Sequence, residues 1–540
     1  MRLLTISLLL LSTLGCQTAR THLSPIPAVT HIRVDVSASR HAISPLVYGV
    51  NYGSTAQVKD LRAPVNRSGG DSADIYDFRS DARASGRDWY FESYPADRST
   101  TMGQYSDGFV SLSLRGASIP LLTVPMVGWV AKLGPNRTRL AGFSITRYGL
   151  QQDTDKQGFA EAGNGVHLDG SFVHNDPNDA MQPDSPERES DWISRMSALS
   201  KRLAPGVPRF YLLGNEPSRW HDIHRDVHPE GTHAEELAAR SIALATKIHA
   251  VDPGALVVAP EEWTPVGTRD SGFDQQIRET QSSATPDRIA QTGGMDLLPW
   301  LLSKWKLAGH PVDVIGLHYY PQHGEYSQDV SEAMQLQRNR STRGLWDPGY
   351  HDIDWMPTNT ALIPTSRDTV DRFYYRGTPI AVTEYSWGAE GHMNGATAQA
   401  DVLGIFGREG LQGATRWIVP PDGSPTYLAM RMFRNYDGKG SGFGETSVLA
   451  TAPDVDRVSA FAAERADHTL TVMVINKQLH DAAPADVSLG GVNEAGSVET
   501  ITLSGGSVSQ SPTQGYHNGS LIVVLPPQSV TLFVVHPNAR

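Results

Sequence analysis

The sequence predicts an α/β protein: a TIM-like (β/α)8 barrel joined to an all-β sandwich. Three observations predict it. Eight short apolar runs fall before residue 421, several of them separated by helical periodicity. The fourth and seventh of these runs end in a glutamate. Beyond residue 455 no helical period is visible, and short alternating or Val-rich segments are punctuated by Gly, Asn, Asp and Pro.

The elements follow in order. Met1-Arg2, the apolar run from Leu3 to Leu14 and Gly15-Cys16 have the layout of an export signal. The run is shorter than the roughly 20 residues of a spanning helix. Cys16 is the sole cysteine, so no intrachain disulfide is available and thiol catalysis is disfavoured. Thr13-Leu14-Gly15-Cys16 resembles a lipoprotein box, with Thr13 where Leu is usual. Plain export and lipid anchoring through Cys16 both stay open. Residues 17–28 are polar and Pro-rich and read as a linker. Residues 30–37 alternate with period two, the mark of a half-buried strand. That strand has no obvious partner in the barrel and is expected to pair into the sandwich.

The eight barrel runs are 46–51, 63–67, 121–128, 209–216, 255–261, 312–320, 379–386 and 414–420. Helical candidates are 190–203, 234–250, 295–308 and 396–411, of which 234–250 has the clearest three- and four-residue spacing. Sandwich strands are expected at 457–464, 468–477, 485–490, 498–503, 520–525 and 528–536. The expected division is a signal over 1–21, a linker and N-terminal strand over 22–44, the barrel over 45–430 and the sandwich over 431–540.

Composition excludes several classes. The net charge of −12 argues against nucleic acid and anionic membrane surfaces as partners. No protein partner is implied. No Gly-x-Ser-x-Gly elbow follows a strand and no Gly-x-Gly-x-x-Gly opens a helix, which disfavours serine hydrolase and dinucleotide chemistry.

The chemistry-bearing stretches are Phe210 to Pro217 and Pro379 to Trp387. Each is an apolar strand with a glutamate at its carboxyl end, Glu216 and Glu384, where barrel enzymes keep their reactive groups. The fourth and seventh strands face each other across a closed barrel. Two carboxylates at one rim are the minimum equipment for glycoside hydrolysis.

In order along the chain, several segments resemble glycoside hydrolase family 44, a family of endo-β-1,4-glucanases and xyloglucanases. They include Tyr48-Gly49-Val50-Asn51, Asp88-Trp89-Tyr90-Phe91-Glu92, Pro125 to Lys132, Gly214-Asn215-Glu216-Pro217, His318-Tyr319-Tyr320-Pro321, Thr383-Glu384-Tyr385 and Arg434 to Gly438. One departure is Arg67-Ser68-Gly69-Gly70-Asp71, where the family usually reads Arg-Trp-Gly-Gly-Asn. The resemblance implies a retaining, endo-acting hydrolysis of β-1,4-glucan backbones such as cellulose-type glucan and xyloglucan. Glu216 is the implied general acid/base and Glu384 the implied nucleophile, with the acid's pKa held high and the nucleophile's low. Asn215 resembles the residue that binds the sugar 2-hydroxyl. Tyr320, in competition with Tyr319, and Arg67 are expected to support the nucleophile, and His318 to line the same rim. Trp387 and Trp417 are the leading candidates for stacking on sugar rings, with Trp89 a further one. A barrel glycosidase on mannan or xylan and a non-catalytic glycan-binding lipoprotein are the competing readings.

No cofactor is required by this chemistry. Asp153, Asp155, Glu161, Asp176 and Asp179, with Asn164 and Asn175, make Ca2+ a candidate structural cation, against the alternative of solvated acidic loops. No metal ligand set is assigned.

Overall fold

Residues 29–351 and 361–537 are described in a computed structural model of the chain. The expected export signal, the linker over 17–28 and Cys16 lie outside the described residues. Eight parallel strands close into a barrel in chain order: Gly49–Asn51, Val65–Ser68, Ile119–Val124, Arg209–Leu213, Ala255–Thr264, Val314–Tyr319, Ile380–Tyr385 and Gly413–Arg416. Each overlaps one of the eight apolar runs. Strands buried on both faces need apolar side chains throughout, and this makes them legible as runs rather than alternations.

The four expected helices are found as Pro186–Leu203, Ala234–Val251, Leu297–Leu307 and Met393–Arg408. Pro186–Leu203 begins at Ser185, whose side chain accepts the Arg188 N–H, with Pro186 at the first helical position. It packs a stripe of Trp192, Ile193, Met196 and Leu199 inward. Met393–Arg408 is buried along nearly its whole length, because the barrel covers one side and the C-terminal sheet the other.

The C-terminal region is a ten-stranded sheet folded over its own core of Ile32, Val34, Val472, Val487 and Phe533, among others. Thr30–Asp35 lies inside it, antiparallel to Thr446–Thr451 and parallel to Ala483–Gly490. The two chain ends thus build one sheet. Three of its strands, His41–Ala42, Thr446–Thr451 and Ser507–Tyr516, had no sequence expectation. Ser507–Tyr516 is exposed along nearly all its length and carries mostly Ser, Thr and Gln, so no apolar pattern marked it. Helix Pro425–Arg434 runs across position 430, where the boundary of the sandwich was expected.

Candidate active site

The site lies at the carboxyl ends of the barrel strands. Gly214 ends the fourth strand with φ +67°, a conformation that glycine adopts without penalty. Glu216 follows with φ +42°, a left-handed conformation that costs a non-glycine residue energy. Its N–H donates to the Glu261 carbonyl (3.0 Å), which anchors the turn to the fifth strand. Pro217 then stops the ladder and opens a short 3-10 turn, Pro217–Arg219.

An oxygen of Glu216, a ring nitrogen of His318 and an oxygen of Glu384 lie within 4.8 Å of one another. His318 Nδ1 is 2.9 Å from Glu216 Oε1. Tyr320 donates its hydroxyl to Glu384 Oε1 (2.7 Å), and Arg67 Nη1 donates to Glu384 Oε2 (2.7 Å). Tyr319 points elsewhere: it is buried and packs its ring 5.6 Å from that of Trp387. The choice between the two tyrosines follows from strand alternation, since neighbouring residues face opposite sides.

Arg67 is the hub. It is wholly buried and donates to Asn51 Oδ1 (3.1 Å), Asn215 Oδ1 (3.0 Å) and Glu261 Oε2 (3.3 Å) as well as to Glu384. Glu261 also accepts from the Thr383 hydroxyl (2.9 Å). The role of Glu261 had no sequence expectation, although the run 255–261 ends on it. A register shift between Pro260 and Glu262 in the fifth strand turns it inward, and a linear pattern does not display such a bulge.

The electrostatics depart from the expected pattern. Burial resists ionisation of Glu216, but the His318 hydrogen bond and charge, with Arg219 and Arg67, outweigh it and hold this carboxyl below its ordinary range. The acid was expected to be raised. The proton resides instead on its partner: burial opposes charge on His318, yet Glu384, Glu216 and Glu261 push it up to about 10. Beside them, burial and then the charge of Glu216 push Glu262 up to about 8. Burial and the charge of Glu384 raise Tyr320 far above its usual value, so its phenol stays a donor.

The tryptophans divide. Trp387 is 1% exposed and donates its Nε1–H to Ser341 Oγ (2.9 Å). It is a core residue, and the expectation that it stacks on sugar is corrected: its ring is packed against those of Tyr319 and Tyr385. Trp417 is partly exposed beside Gly70, where an added Cβ would come within 2.5 Å of its ring. Trp89 is 38% exposed and lines a cavity of about 370 Å3 with Arg87, Asp88, Tyr90 and Arg225.

The acidic residues weighed for Ca2+ are used locally. Asp153 accepts from the Tyr90 hydroxyl (2.9 Å), and Asp155 from the N–H groups of Gln157 and Phe159. Glu161 accepts from Thr146 N (3.0 Å), and Asp176 from Asn178 N (3.0 Å). Asp179 pairs with Arg147 and Tyr148. Among the described residues no three of these carboxylates converge. The trio that does converge, Glu216, His318 and Glu384, has the Arg67 guanidinium bonded to Glu384 and 3.3 Å from His318 Nε2. A fixed cation there repels a second one, so the set fits proton transfer rather than metal binding.

The model of glycoside hydrolase family 44 matches residues 82–323. A bifunctional glucanase-xylanase, CelM2, from a metagenome library is 44% identical in its crystal structure, with 94% of this chain and 99% of that one covered and a TM-score of 0.91. Endoglucanase A of Paenibacillus lautus is 27% identical over 532 residues, 92% of this chain and 71% of that protein. A xyloglucanase of Paenibacillus polymyxa shares the fold at 24% identity and a TM-score of 0.76, with 94% and 99% of the two chains covered. The likeness to CelM2 runs through barrel and sheet alike, and the chain is a glycoside hydrolase that belongs to family 44.

Proposed function

We propose that the chain hydrolyses β-1,4-glucan backbones, cellulose-type glucan and xyloglucan, internally and with retention, with Glu216 as acid/base and Glu384 as nucleophile. An oxygen of Glu216 lies within 4.8 Å of an oxygen of Glu384, and this closeness carries the reading. A retaining enzyme needs carboxyls about 5–5.5 Å apart, whereas an inverting one needs roughly 6.5–9.5 Å to admit a water. Arg67 and Tyr320 orient the two Glu384 oxygens, one of which attacks the anomeric carbon. The leaving oxygen takes its proton from Glu216, which draws on the proton held across its bond to His318. Glu216, a carboxylate again, then removes a proton from water as that water attacks the glycosyl ester and frees Glu384. Asn215, beside Glu216, holds the sugar 2-hydroxyl, a contact that strengthens in the transition state. Trp417 and Trp89 are the sugar-stacking side chains in this reading. Hydrolysis in this family needs no cofactor.

Product release from carboxymethylcellulose, xyloglucan, glucomannan, xylan and mannan tests it. Wild type is expected to cut the glucans, and Glu216→Gln and Glu384→Gln to lose several orders of magnitude. Azide is expected to rescue Glu384→Gly as an inverted glycosyl azide. Full activity in either Gln variant sinks the residue assignment, and cleavage of mannan alone sinks the substrate. Xylan is a second reading, favoured by the activity named for CelM2.

Met1 to Cys16 further supports export, with Cys16 lipidated or the chain released. The mass of the mature N-terminus from a bacterial host distinguishes the two, and a retained Met1 overturns both.

A further inference from the structure

Two carboxyl groups in the cleft have no part in the scheme above. Asp71 follows the second barrel strand, and Asp88 lies in the 3-10 turn Gly86–Trp89. Their carboxyls come within hydrogen-bonding reach of each other, and both feel the charges of Glu216 and Arg219. Asp71 Oδ1 accepts a hydrogen bond from Asn215 Nδ2 (2.9 Å). Asn215 Oδ1 accepts from Arg67 Nη2 (3.0 Å) and from the Gly70 N–H (3.2 Å). Arg67 and a backbone N–H can only donate, so the amide has a single orientation, oxygen to Arg67 and nitrogen to Asp71. One of its two N–H groups is committed to Asp71. The other belongs to an amide wedged between Glu216, its chain neighbour, and the arginine that holds Glu384.

We propose that Asp71 is a positioning residue: by accepting one N–H of Asn215 it aims the other at the 2-hydroxyl of the sugar held between Glu216 and Glu384. This rests on the assignment of those two glutamates. Asp71 faces Asp88, Glu216, Glu384 and Arg219. Burial first, then the three carboxylates, push its own carboxyl well above the ordinary range. Protonated or ionised, it keeps an oxygen for the amide, so the positioning does not depend on its charge.

The test is kcat and KM on an aryl β-cello-oligosaccharide and on its analogue lacking the 2-hydroxyl of the ring next to the aryl group. Asp71→Ala is expected to lose about 10- to 100-fold in kcat on the first substrate, with a smaller change in KM, and little on the second. Asp71→Asn presents an amide oxygen to the same N–H and is expected to stay within about threefold of wild type. An equal loss on both substrates, or Asp71→Asn falling as far as Asp71→Ala, overturns the proposal. Melting temperatures show whether Asp71→Ala folds, and Asp71→Ser, too short to reach the amide, is read in the same way if it does not. Glu216→Gln and Glu384→Gln in the same assay report on the underlying assignment alone. Retained activity there fails that assignment, whereas the ratio between substrates judges Asp71.

Discussion

Asp226 shows how much one buried side chain can decide. It is 1% exposed, and neither carboxylate oxygen has a hydrogen-bond partner among the described residues. Burial pushes it up to about 7. The unfolded chain ionises it near 3.9, so the folded state binds this proton more tightly. Its stabilising effect is complete below about pH 4 and is lost as pH rises to about 7, at roughly 1.4 kcal/mol per unit of separation. Asp226→Asn removes the titration. The melting temperature of the variant should therefore fall less than that of wild type between pH 5 and pH 8. Parallel curves for the two proteins would show that Asp226 ionises freely in the fold. The Glu216–His318 pair has the opposite character: there a cation is supplied, and the half-buried carboxylate stays charged.

Among the elements, helix Met393–Arg408 joins the two halves. Asp401, on its inner turn, accepts from Lys477 Nζ (2.6 Å), the Thr342 hydroxyl (2.6 Å) and the Ser459 hydroxyl (2.6 Å). Lys477 follows a strand of the C-terminal sheet and also donates to the Val455 carbonyl (2.8 Å). Both charges are essentially buried. Removing one member leaves the other uncompensated, at a cost of about 3–5 kcal/mol. Lys477→Met should lose about that much in urea unfolding and keep its activity well below the melting temperature. Lys477→Met with Asp401→Asn should recover part of the loss. A loss under about 1 kcal/mol, the range of an exposed pair, would mean that water reaches this contact. Neither residue carried a sequence signal, because a lone Lys after one strand and a lone Asp in one helix are ordinary until the fold brings them together.

Across the whole molecule, the sequence by itself determined the eight-stranded barrel, the β-rich second half and the two glutamates at facing strand ends. Its physical basis is burial on both faces, which forces continuous apolar runs, and the turn formers that stop them. It also determined that Thr30–Asp35 joins the far end of the chain, because an alternating strand has no place in a barrel of apolar ones. Only the tertiary structure decided which side chains at the rim face inward. Register shifts at Pro260/Glu262 and Leu317/His318 each displace the two-residue alternation by one, and a displacement of one exchanges the faces. That is why Glu261, the extra residue at the first of these shifts, carried no sequence signal. The tertiary structure also decided the protonation of Glu216. Arg219 is near in sequence, but His318 and Arg67 come from other strands, and a pKa is set by distances between groups that the linear chain keeps more than 100 residues apart.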